Sequence, residues 1–299
     1  MSPSLDAHPE KSTTDRLPAS TVPPGPPGAA LAGTVVRAAD RLSPSWGARL
    51  AARAFLSTHR VKLPARERSW IQSAERASFR LGERRLLGWS WGDGPDPVLL
   101  VHGWDGRGSQ LGALGLALAA AGTRAIAVDL PGHGDTPGRT SNLLEFAECI
   151  AGVVGQLGSV SAVVAHSFGA AATTVALRQP LPVGRVSYLA PSEDFEHFTH
   201  IFGHWLSLSR PLVERMQRSI ERRFGVEWEG LRGHVLAPAM KQPLLVVHDQ
   251  EDIEVPLQHG RTYAERWPGA RLVTTQGLGH RRLLRDPVVV DQVVSFVTA

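Results

Sequence analysis

VAHSFGAAA, residues 164–172, closes an apolar run, sets Ser167 between His166 and Phe168, and continues through Gly169 into a run of alanines. A strand ending at the histidine and a helix opening at the serine would hold the hydroxyl on a tight turn, with helical N–H groups aimed at charge forming on a substrate. Such a turn needs small residues two before and two after the serine. Ala165 and Gly169 supply them, with alanine replacing the first glycine of the GxSxG pattern. The same letters also suit a serine that only caps a helix, so the flanking sequence decides.

Outward from that stretch, short runs rich in Val, Ile and Leu occupy 97–102, 124–130, 162–166, 185–190, 243–249 and 270–276. They alternate with helix-like segments at 110–121, 143–157, 167–178, 257–267 and 288–297. This is the pattern of an α/β fold, a mostly parallel sheet with crossover helices. Residues 79–91, with glycines and alternating polarity, predict an antiparallel hairpin at the start of the sheet. Residues 192–240 are aromatic-rich without a strand-like run and predict a helical insertion, placed where insertions tend to cover ligand sites in such sheets.

Ahead of the sheet, apolar residues at three and four spacing on either side of Ser43 and Pro44 predict two short amphipathic helices. Residues 1–28 are rich in Pro, Ser and Thr and predict a disordered leader, with no signal-peptide core. The expected organisation is therefore leader 1–28, helical extension 29–75, core 76–191 and 241–299, and helical insertion 192–240.

The chain of 299 residues is 42% hydrophobic, enough for a sizeable core, and its formal charge is +4. The arginines are interspersed with acids, so no nucleic-acid partner is expected, and no apolar stretch resembles a membrane span, so no membrane partner is expected. An oligomer formed through the N-terminal extension stays open. Cys149 is the single cysteine and reads as a buried small hydrophobe; a chain without disulfides fits a reducing, cytoplasmic setting.

Reactive groups in an open α/β sheet sit just beyond the carboxyl ends of strands. His280, in the glycine-flanked loop QGLGHRRLL, is a candidate general base for Ser167. Asp252 is a candidate to orient that imidazole, with Asp249, Glu251 and Glu254 in the same loop and Asp194 after the preceding strand as rivals. His102, Gly103 and Trp104 follow the strand at 97–102. A glycine there lets the backbone pass close to the nucleophile, so that the N–H groups of Trp104 and Phe168 pair as an oxyanion hole.

Together VHGW, DLPGHGDT, AHSFGA, DQEDIEVP and GLGHRRLL, over about residues 76–299, resemble the α/β-hydrolase superfamily in its serine hydrolase, esterase-like branch. The resemblance implies about eight strands flanked by helices, with a helical cap between strands six and seven. It implies catalytic Ser167, Asp252 and His280, favouring Asp252 because it precedes Val255 and Pro256 by the family's spacing. The loop with His133 and Asp135 corresponds to a structural loop of the family. A serine nucleophile disfavours the haloalkane dehalogenase and epoxide hydrolase branches, and the lack of a glycine triplet after His102 disfavours the lipase branch with that loop.

The expected activity is hydrolysis of a small to medium hydrophobic carboxylic ester through an acyl-enzyme, without cofactor or metal. Acyl transfer by the same residues and a non-catalytic ligand-binding protein are the alternatives. His102, Gly103, Phe195, Phe198, Phe202 and Trp205 are expected to contact substrate. His197, His200 and His204, on one predicted helix, have metal-binding spacing but lack a cysteine partner and a chemical need for a metal.

Overall fold

A computed structural model describes residues 23–299; residues 1–22 of the expected leader lie outside the described residues. Three helices come first, α1 (Ala29–Leu42), α2 (Pro44–Phe55) and α3 (Ala65–Trp70). The chain then forms β1 (Glu75–Leu81), β2 (Arg84–Trp91), β3 (Pro97–Val101), α4 (Gly112–Ala120), β4 (Arg124–Asp129), α5 (Leu143–Leu157), β5 (Val160–His166), α6 (Phe168–Ala176) and β6 (Val183–Leu189). Helices α7 (Glu196–Trp205), α8 (Arg210–Phe224) and α9 (Gly233–Leu236) separate β6 from β7 (Leu244–Asp249), and α10 (Leu257–Arg266), β8 (Arg271–Thr275), α11 (Gly279–Arg282) and α12 (Pro287–Thr298) complete it.

The strands form one eight-stranded sheet in the order β1-β2-β4-β3-β5-β6-β7-β8. β1 and β2 pair antiparallel, β2 meets β4 antiparallel, and all later neighbours are parallel. The central strands are near-continuous apolar runs because helices cover both faces. Alternate residues point each way: Val101, Val163 and Val246 join Phe146 of α5, Ala171 of α6 and Tyr263 of α10. Leu100, Val164 and Val247 join Leu114 and Leu118 of α4 and Val293 of α12. Each fully buried Leu or Val contributes about 1.5–3 kcal/mol.

A third core lies off the sheet, where Val36, Ala48 and Ala51 of the N-terminal helices pack on Leu206, Leu212, Met216 and Ile220 of the insertion. The break between α1 and α2 follows from the letters: Ser43 is extended (φ −158°, ψ 119°) and Pro44 opens the new helix without needing a donor. The hairpin starts four residues earlier than expected, at Glu75, because β1 is a half-exposed edge strand without an apolar signature. The short helix α3 was not anticipated; it is held by its buried Glu67, whose carboxylate accepts from Arg107 Nε and Nη2 at 2.7 and 2.6 Å and from Ser109 Oγ at 2.8 Å.

The chain runs from β3 to β4 on one side and returns to β5 on the other, which opens a crevice at the carboxyl ends of β3 and β5. Register puts Val101 beside Ala165, His166 beside Leu189 and Asp249 beside Thr275, so the loops after these strands emerge along one edge.

Candidate active site

Ser167 stands between the end of β5 and the start of α6 at φ 54° and ψ −122°, a conformation that costs a non-glycine residue roughly 1–3 kcal/mol. The neighbours hold it there: its N–H donates to Leu189 O at 3.0 Å, and Ser192 N–H donates to its carbonyl at 3.2 Å. The turn is as crowded as its sequence implied. A Cβ on Gly169 would lie 2.5 Å from the His102 carbonyl oxygen, and one on Gly103 would lie 2.9 Å from Ser167 Cβ. The loop after β3 thus passes against the serine. The N–H groups of Trp104 and Phe168 donate no hydrogen bond among the described residues.

His280 follows β8 and sits in the short helix α11, not in the flexible glycine loop its sequence suggested. Its Nδ1–H donates to Asp252 Oδ2 at 2.8 Å. Its ring lies 4.5 Å from that of His166, the residue before the serine. His166 Nε2–H donates to the His280 carbonyl at 3.0 Å. His166 is therefore a brace for the His280 backbone. Burial, with the neighbouring His280, holds the His166 pKa well below the usual histidine value, so it stays neutral.

Asp252 has a full set of donors. Oδ1 accepts the N–H groups of Glu254 and Val255, both at 2.9 Å, and the second oxygen, besides His280, lies 3.5 Å from His248 Nε2. Burial opposes its ionisation, but the hydrogen bonds from His248 and His280, the His280 charge and the Val255 N–H outweigh that and hold the pKa below the usual carboxylate range. His248 also donates to Val255 O at 2.9 Å.

Of the rival acids, Asp249 is committed elsewhere. Its carboxylate accepts the Thr275 hydroxyl at 2.7 Å, Leu278 N–H at 2.9 Å and Glu251 N–H at 3.0 Å, stapling the tip of β7 to the loop that leads to His280. Glu254 pairs with Arg281 at the surface, and Asp194 faces Arg232 in the insertion.

The expected contact residues divide. His102 is fully buried. Its Nδ1–H donates to Gly103 O at 2.7 Å and its Nε2 accepts Leu130 N–H at 3.0 Å, so it shapes the loop from within and is not exposed to a ligand. Burial and nearby His133 push its pKa down to about 3. The ring of Phe195 lies 6.5 Å from that of Phe168, while Phe198 packs on His197 and His259. Phe202 and Trp205 pack on the third core, not on the one that holds Phe168: Phe202 meets Phe55 at 5.3 Å, and Trp205 Nε1–H donates to Pro23 O at 2.7 Å. The expectation that these two contact substrate is corrected, because helix α7 offers one face to the sheet domain and the other to the N-terminal helices.

His197 packs on His259, His200 lies 3.9 Å from Glu196, and His204 is exposed. Among the described residues no three metal-binding side chains converge. His248 is a supporting residue that sequence reasoning missed, the i, i+4 spacing of His248 and Asp252 across a strand end being the available signal; His166 had no role assigned to it from sequence, and Asp249 stood there only as a rival acid.

Ser167, His280 and Asp252 are 9%, 8% and 7% exposed, so the serine lies in a nearly closed site. Next to the serine in sequence, Phe168 belongs to an aromatic group in which Trp104, Phe146, Phe168 and His133 meet edge-on at 5.2–5.4 Å. The arrangement offers a strained hydroxyl, an imidazole oriented by an ionised carboxylate, and two free backbone donors in apolar surroundings.

Residues 98–293 match the model of the alpha/beta hydrolase family. Known structures share the architecture. A lipase-like protein from Acinetobacter baumannii AYE is 15% identical with TM-score 0.61, over 80% of this chain and 97% of that one. An esterase from Exiguobacterium antarcticum is 17% identical with TM-score 0.59, over 75% and 100%. A bromoperoxidase from Bacillus anthracis is 15% identical with TM-score 0.58, over 75% and 99%. At these identities the likeness speaks to the fold alone. No curated protein matches the chain in sequence.

Proposed function

The chain belongs to the alpha/beta hydrolase family, and on that premise we propose that it is a serine hydrolase cleaving carboxylic esters or related acyl bonds through an acyl-enzyme. The observation that carries this reading is the 2.8 Å bond between His280 and Asp252, set beside a serine held at φ 54°. In it, Ser167 Oγ attacks the acyl carbonyl and His280 Nε2 takes the hydroxyl proton. Asp252 fixes the tautomer with the proton on Nδ1 and stabilises the imidazolium.

The free N–H groups of Trp104 and Phe168 receive the oxyanion, a contribution of about 3–4 kcal/mol per donor in sites of this kind. His280 then returns its proton to the leaving alcohol and activates the water that releases the acid. The apolar, nearly closed setting favours a small hydrophobic acyl group, with Phe168 and Phe195 beside it. In the free enzyme the Ser167 hydroxyl is not hydrogen-bonded to His280; that contact forms as substrate seats.

The test is a fluorophosphonate probe and short p-nitrophenyl esters on wild type and Ser167→Ala. Labelling and turnover should both vanish in the variant. Equal labelling of the two proteins defeats the assignment of Ser167.

A further inference from the structure

The molecule's exposed apolar residues are concentrated in one place. Among the described residues, five of the eight large hydrophobic side chains that stand open to solvent lie between residues 29 and 62. On α1 they form a stripe: Leu31 is 72% exposed, Val35 52% and Leu42 81%, with exposed Ala38 between them at helical spacing. The opposite face of the same helix, through Gly33 and Val36, is already used against the insertion. A Cβ on Gly33 would meet the Leu206 carbonyl oxygen at 2.1 Å, so the helix cannot turn to bury its other side. Past the bend, at the start of α2, Trp46 is 62% exposed as well.

Charge accumulates in the same segment. Between residues 29 and 62 stand Arg37, Arg41, Arg49, Arg53, Arg60 and Lys62 against Asp40 alone, whereas the whole chain carries a surplus of four. Asp40 is neutralised by Arg215 at 2.6 Å. Arg41, Arg49 and Arg53 are exposed and pair with no acid among the described residues. Arg41 adjoins Leu42, and Arg49 and Arg53 follow Trp46 at three and seven residues on the exposed side of α2. An apolar stripe with an indole at one end and an unpaired arginine fringe is the composition of a helix lying in a lipid interface. The apolar side chains enter the acyl boundary and the guanidinium groups reach the headgroups on their aliphatic stems.

We propose that α1 and α2 dock the protein on an anionic membrane surface. The charge selects this occupant. A symmetric pair of copies would set the same arginines against one another, and a nucleic-acid backbone would leave the apolar stripe in water. The sequence expectation of no membrane partner weighed spanning segments, and among the described residues no helix is long and apolar enough to cross a membrane. A helix pair lying in the interface needs none. The proposal does not depend on the assignment of Ser167.

The experiment is co-sedimentation of the full chain at low salt with vesicles of phosphatidylglycerol mixed with phosphatidylcholine, and with vesicles of phosphatidylcholine alone. The protein should sediment with the first and stay in solution with the second. Each interfacial arginine is worth about fivefold in partitioning, so Arg41→Gln/Arg49→Gln/Arg53→Gln should weaken binding on the order of 100-fold. Leu31→Ser/Leu42→Ser/Trp46→Ser should abolish it, with the melting temperature kept because these side chains are exposed. Equal partitioning of wild type and both variants, or equal binding to both vesicle types, overturns the proposal. So does a dimer seen by light scattering that the Leu31/Leu42/Trp46 variant separates, which would assign the stripe to a second copy.

Discussion

His166 donates from Nε2 to the backbone carbonyl of His280 at 3.0 Å, across 114 residues of sequence, with the two rings 4.5 Å apart. The residue beside the proposed nucleophile thereby fixes the position of the proposed base. Replacing it with Phe keeps the ring and removes the donor. A base displaced by about 1 Å loses up to a hundredfold in rate, so His166→Phe should lower kcat ten- to a hundredfold, to order of magnitude, with KM little changed. Unchanged kcat would reduce His166 to a packing residue.

Asp252 and Asp249 are three residues apart and do different work. Asp252→Asn should cost on the order of ten-thousand-fold in kcat because the wrong tautomer of His280 is then favoured. Asp249→Asn leaves the tautomer alone and loosens the staple to Thr275 and Leu278, so roughly tenfold is expected. Ester turnover of the two variants checks this, and the reverse order would exchange their roles.

Acid should unfold the protein through histidines buried in neutral form. Burial pushes His102 and His259 down to about 3, from a usual 6.5. Above pH 6.5 both are neutral folded or unfolded. As pH falls below that value the unfolded chain takes protons that the folded chain refuses, so stability declines by roughly 1.4 kcal/mol per pH unit for each histidine until about pH 3. Urea unfolding from neutrality towards about pH 4 should show this slope, and His259→Phe should remove about one proton's share of it. A flat stability over that range would contradict the burial of these rings.

The buried pair between Glu67 and Arg107 ties α3 to the loop that carries Trp104. Breaking one partner of such a pair costs about 3–5 kcal/mol, whereas replacing both with apolar residues of similar size is far less damaging. Glu67→Ala should fall in that range by urea unfolding, and Glu67→Met/Arg107→Met should recover most of it. A loss below about 1 kcal/mol for Glu67→Ala would show that the pair is not what anchors α3.

The central strands were readable because a strand buried on both faces must be apolar along its buried run, as AVVA (162–165) of β5 is. The turn at Ser167 was readable because its crowding permits only small residues at 165 and 169. β1 was legible only in part, since an edge strand half open to water has no compulsory pattern. His102, Phe202 and Trp205 were misplaced for a related reason. A residue type and a spacing identify a face or a strand end, but a buried histidine satisfied by Leu130 N–H and Gly103 O looks, as a letter, like one that meets a ligand. Asp249 and Asp252 likewise share one loop, and only the carboxylate partners separate them.

The third core joins distant parts of the chain: Asp40 and Arg215, paired across it, are 175 residues apart. On the ribosome, Val36, Ala48 and Ala51 emerge early and must wait, uncovered, until Met216 and Ile220 have been made. Contacts of such long sequence separation form late and slow the folding of the chains that depend on them. Helices α1 and α2 are thus among the last to find their packing partners, and during that wait the growing chain is most open to chaperones and to aggregation.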